Sequence, residues 1–108
     1  MADLPDDAGA TARLLGRWRL LRADPSLEFA AQIRMEFRPG GRLLYELQIS
    51  EAPQRWQSVS LIYRVEGDIL HTDNPAASHE IFTRFRFGPG DVLVFDFAGA
   101  LAWFVREM

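Results

Sequence analysis

From residue 16 onward, apolar and polar residues alternate with a period of two, the signature of half-buried strands. Trp18 and Leu20 alternate with Arg17 and Arg19, and Ile33, Met35 and Phe37 with Arg34, Glu36 and Arg38. Leu43, Tyr45, Leu47 and Ile49 share one face, with Arg42, Glu46 and Gln48 opposite. A longer segment, 54–66, places Val59, Leu61, Tyr63 and Val65 together. A short strand at 69–72 follows, then Ile81, Phe85 and Phe87 on one strand, Leu93, Phe95 and Phe97 on the next, and a last strand over 101–106. These apolar sets predict the inward faces.

Turn chemistry falls between the segments: Asp24-Pro25-Ser26, Pro39-Gly40-Gly41, Glu51-Ala52-Pro53, Gly67-Asp68, the loop 73–78, Gly88-Pro89-Gly90-Asp91 and Gly99-Ala100. Proline presets φ for a turn and glycine supplies positive φ. No segment offers a helix long enough for a parallel crossover, so sequential antiparallel pairing is the economical topology. Closing the first strand onto the last removes both exposed edges. The expected fold is all-β: an eight-stranded antiparallel up-and-down barrel, with a strongly curved half-barrel that dimerises as the alternative. Thr11 predicts a cap for a short N-terminal helical turn running to Leu15. Residues 1–9 read as a flexible acidic tail and 10–108 as a single domain. The ambiguous segment 27–31 is a candidate lid over one barrel mouth.

Composition narrows the chemistry. Without cysteine there are no disulfides, thiol nucleophiles or thiolate metal ligands. All twelve basic residues are Arg, and three of the fifteen acids, Asp3, Asp6 and Asp7, lie in the first seven positions. The remainder is balanced, which argues against nucleic acid as a partner, since phosphate backbones select a basic excess. The N-terminus is acidic where a signal peptide needs a basic start, and no apolar run approaches a membrane span. The expected setting is cytoplasmic, with no membrane partner.

His71 and His79 bracket the loop 73–78 and, with Asp73 and Glu80, contain metal-ligand residue types. Solvated loop histidines are the plainer expectation, so no metal and no cofactor are expected. Ser78-His79-Glu80 holds hydrolase residue types, but neighbours on a strand point apart and cannot form a triad. Asp96 is expected to pair across strands with Arg84 or Arg86. No catalytic constellation emerges, and the chain is not expected to be an enzyme.

At Gly16-Arg17-Trp18, opening the first strand after a helical turn, the chain resembles the lipocalin superfamily and its short bacterial lipocalin-like domains. Phe104-Val105-Arg106 on the last strand is similar to the family's closing motif. Phe37-Arg38-Pro39-Gly40-Gly41-Arg42 and Tyr63-Arg64-Val65-Glu66-Gly67-Asp68 add to the likeness, which spans roughly residues 14–106. The resemblance implies a barrel whose first-strand Trp18 plugs one end while Arg106 packs across its indole, with Gly16 in the same motif. It also implies a small apolar ligand inside. Shorter loops, no disulfide and no C-terminal helix set the chain apart from full-length relatives.

Two functional expectations follow. The first is a binding domain whose interior holds a small apolar molecule, lined by Trp18, Tyr45, Tyr63, Phe85 and Phe95. Thr83 and His71 are further polar candidates. The second is a module with a filled core, since nearly every inward residue is bulky and an eight-stranded barrel can be filled by its own side chains. That module would self-associate as a homodimer through an outer apolar face around Phe82, Val92 and Val94.

Overall fold

One short helix precedes eight strands in the computed structural model, which describes residues 7–27, 32–51, 53–76 and 79–107. The helix α1 spans Asp7–Leu14. The strands are β1 (Gly16–Ala23), β2 (Ile33–Arg38), β3 (Arg42–Glu51), β4 (Gln54–Glu66), β5 (Ile69–Asn74), β6 (His79–Gly88), β7 (Val92–Phe97) and β8 (Ala100–Arg106). Each pairs antiparallel with its sequence neighbours, and β8 returns to β1, so the barrel is closed. Closure gives every strand two partners and leaves no edge for further pairing.

The helix differs from expectation. It starts before Thr11, which sits inside it rather than at its cap. Of the candidate lid, residues 28–31 lie outside the described residues, while Leu27 packs against the core.

Alternation predicts the inward faces correctly until a bulge intervenes. Pairing of β3 with β4 shifts between Gln48 and Ser50, and pairing of β1 with β8 shifts between Leu20 and Arg22. The extra residues are Ile49 and Leu21, and they are 57% and 53% exposed. A bulge residue has no partner and loses the two-residue rhythm, so Ile49 does not face inward as the pattern predicts. Gln48 is buried instead, and its backbone N–H donates to the Gln32 carbonyl at 2.9 Å.

The barrel has a closed half and an open half. In the closed half α1 delivers Leu14, fully buried, against the first-strand indole. Trp18 Nε1 donates to the Leu14 carbonyl at 2.8 Å, which satisfies the polar handle of a buried indole. Phe37 and Tyr63 meet edge to face at 5.1 Å, and the Tyr63 hydroxyl donates to the Arg38 carbonyl at 3.3 Å. Arg106 crosses the outer face of this plug with its guanidinium 4.0 Å from the Trp18 ring centroid. The same guanidinium donates to the carbonyls of Arg13 and Leu15 and, through Nε, to Asp91 at 3.0 Å. Gly16 is required here: its φ is +115°, and a Cβ would stand 2.9 Å from Arg106 Nη1. No described helix is long and apolar enough to cross a membrane.

Candidate functional site

Some inward side chains on β5, β6 and β8 are small. The positions facing in are Thr72, Thr83 and Ala102, and Ala102 lies directly opposite Phe95. Thr72 and Thr83 border a space that no side chain fills. The result is a cavity of about 260 Å³ lined by Met35, Leu43, Tyr45, Leu61, Leu70, Thr72, Ile81, Thr83, Phe95, Phe97 and Phe104. Its floor is buried, with Leu70, Met35 and Phe104 each 2% exposed. Its rim is open to solvent, with Ile81 47% exposed.

Among the described lining residues the wall is apolar except for three hydroxyls, those of Tyr45, Thr72 and Thr83, and none of these residues is ionised. A phenol is neutral and able to donate at neutral pH, and burial pushes that of Tyr45 further above its ordinary value. Tyr63 is shifted in the same direction by burial. Among the described residues none of the three cavity hydroxyls has a side-chain hydrogen-bond partner. Their hydrogen-bonding capacity is left for whatever enters.

The sequence-predicted lining residues divide between the two halves. Tyr45 and Phe95 line the cavity. Trp18 and Tyr63 belong to the plug of the closed end, and Phe85 packs edge to face against Phe87 on that side. Gly16, Trp18 and Arg106 come together at that same end. Sequence pattern did not single out Leu70, Thr72 or Phe104 as lining. Their parity on the strands over 69–72 and 101–106 was the available signal, but periodicity gives side and not depth.

The other polar residues face outward. His71 is not a solvated loop histidine: it sits within β5, its side chain 12% exposed, between Glu66 and Glu80 and beside Arg64. The Phe82 ring stands edge-on to it at 4.7 Å. Being outward, His71 contributes nothing to the cavity. The side chain of His79 lies outside the described residues, and the described residues contain no cluster of metal-ligand type. Asp96 makes no ion pair with Arg84 or Arg86; its Oδ1 accepts from the Gly99 N–H at 2.7 Å and fixes the β7–β8 turn. The outer apolar face is also interrupted. Val94 is only 2% exposed, set between its cross-strand neighbours Arg86 and Trp103, so Phe82, Val92 and Val94 do not form one exposed surface.

Compared with protein-family models, with curated proteins and with solved structures, the chain matches none of them. Its class is therefore defined by its own geometry: a closed eight-stranded antiparallel barrel, plugged at one end and hollow at the other.

Proposed function

We propose that this is a non-enzymatic, lipocalin-like domain that holds one small apolar molecule in the open half of its barrel. The observation that carries this reading is the cavity itself, apolar and roomy, with a few hydroxyls to orient a guest. Support for the lipocalin-like part comes from the closed end, where Gly16, Trp18 and Arg106 are assembled around one indole. A cavity of about 150 Å³ takes benzene, so 260 Å³ suits a guest of roughly ten non-hydrogen atoms. At about 0.6 kcal/mol per atom, within the range for small ligands, such a guest binds with a dissociation constant in the tens of micromolar.

Naphthalene is a suitable probe, followed by titration calorimetry. Wild-type protein is expected to bind one equivalent, and Leu61→Trp, which places an indole at the cavity wall, to lose binding while keeping its fold by circular dichroism. No binding by wild type up to the solubility limit contradicts the reading.

A further inference from the structure

The cavity wall is chemically uneven, and the unevenness points at a particular kind of guest. Thr83 sits deep. It pairs across the sheet with Leu70, which is 2% exposed, and is itself only 7% exposed. Thr72 sits at the rim, opposite Ile81, which is 47% exposed. Among the described residues, one side-chain polar atom is both sealed from solvent and without a partner, and it is Asp73 Oδ1 on the outer wall. The Thr83 hydroxyl has no hydrogen-bond partner among the described residues, and its side chain lines the cavity. A hydroxyl at the rim can be served by bulk water, whereas one at the floor depends on the occupant.

Among the described residues the wall also carries no charge to receive an ion. Neither an Arg nor a carboxylate among them contributes to the lining, and burial moves the Tyr45 phenol further from ionisation. Transfer of an anion to such a floor carries a heavy desolvation cost with nothing to offset it. Building on the reading of the cavity as a ligand site, we infer that Thr83 is its specificity-determining residue and that the preferred guests are neutral molecules with one hydrogen-bonding group seated inward. Alcohols, phenols and carbonyl compounds fit this class. Carboxylates of the same size do not.

Three probes of nearly equal size test the inference at neutral pH: naphthalene, 2-naphthol and 2-naphthoate. Wild-type protein is expected to bind 2-naphthol about three- to ten-fold more tightly than naphthalene, the range of one neutral hydrogen bond. Binding of 2-naphthoate should be at least about ten-fold weaker than that of 2-naphthol. Thr83→Val, nearly isosteric, should erase the preference for 2-naphthol over naphthalene. Thr83→Ser should retain the preference, which separates loss of the hydroxyl from disturbed packing. Equal affinity for 2-naphthoate and 2-naphthol would overturn the inference by placing the polar group in solvent at the mouth. A 2-naphthol preference that survives Thr83→Val would overturn the role of Thr83. If naphthalene itself fails to bind wild type, the cavity reading falls first, and the inference with it.

Discussion

The two ends of the barrel are built from the same alternating strands yet solve opposite problems. At the closed end Leu14, Trp18, Phe37 and Leu93 are at most 1% exposed, and an Arg spans the plug with bonds to α1 and to the β6–β7 turn. At the open end the inward set of Tyr45, Leu61, Ile81 and Phe97 is only partly buried and encloses a space instead of filling it. The same two-residue rhythm thus gives a stability-bearing half and a half that gives up packing for room. The comparison teaches that inward-facing and core are different properties in a small barrel. Side-chain size at a handful of inward positions, Thr72 and Thr83 above all, decides which half is which.

Truncation at the two ends should expose that asymmetry most strongly. Trp18→Ala removes a fully buried indole and its bond to Leu14, and is expected to cost about 3–5 kcal/mol in urea unfolding. Ile81→Ala at the rim, where the side chain is 47% exposed, should cost less than about 1 kcal/mol. Similar losses at both positions would erase the distinction between the halves.

Arg106→Leu comes next. It keeps much of the stem but removes the guanidinium over Trp18 and the bonds to Asp91 and to the carbonyls of α1 and its exit. The expected loss is about 2 kcal/mol, allowing for a side chain that is 29% exposed. A change within about 0.5 kcal/mol in thermal or urea unfolding would show that the plug does not need its strap.

The smallest effect is spectroscopic. Tyr45 and Tyr63 are the only tyrosines in the chain, one in each half, and burial raises both phenols. A phenol raised in the folded state is held neutral, so its stabilisation is full below the unfolded value near 10 and is lost as pH rises through the folded value. Absorbance at the tyrosinate band should therefore rise later in folded protein than in urea-unfolded protein. Tyr45→Phe and Tyr63→Phe divide that signal between the open and closed halves. Coincident titration curves for folded and unfolded protein would contradict the burial of both.

How far the sequence reached depends on what each signal measures. The eight strands and most of their turns were legible because glycine and proline punctuate a clean two-residue alternation. Closure was legible because short connections and exposed edges leave few alternatives. Ile49 escaped the pattern because a bulge shifts register without a local residue signal. The β7–β8 turn also moved by one residue: Ala98 and Gly99 carry the positive φ, +56° and +101°, where Gly99-Ala100 was expected. The strand over 69–72 runs two residues further, to Asn74, because polar residues continue it, and His71 on it is not solvated because its outward side meets Arg64, Glu66 and Glu80. For the site, Tyr45 and Phe95 were found by their chemistry, while Trp18, Tyr63 and Phe85 share that chemistry but lie toward the packed end. Depth along the barrel is a three-dimensional property that parity alone does not encode.

The central claim is that the hollow end, and not the plugged end, receives the guest. Chemical-shift mapping of methyl groups during titration with naphthalene tests it most directly. Shifts confined to Met35, Leu43, Leu61, Leu70 and Ile81, with Leu14 and Val65 at the closed end unmoved, are the expected result. Shifts centred on Leu14 and Val65, or none at all, would contradict the account.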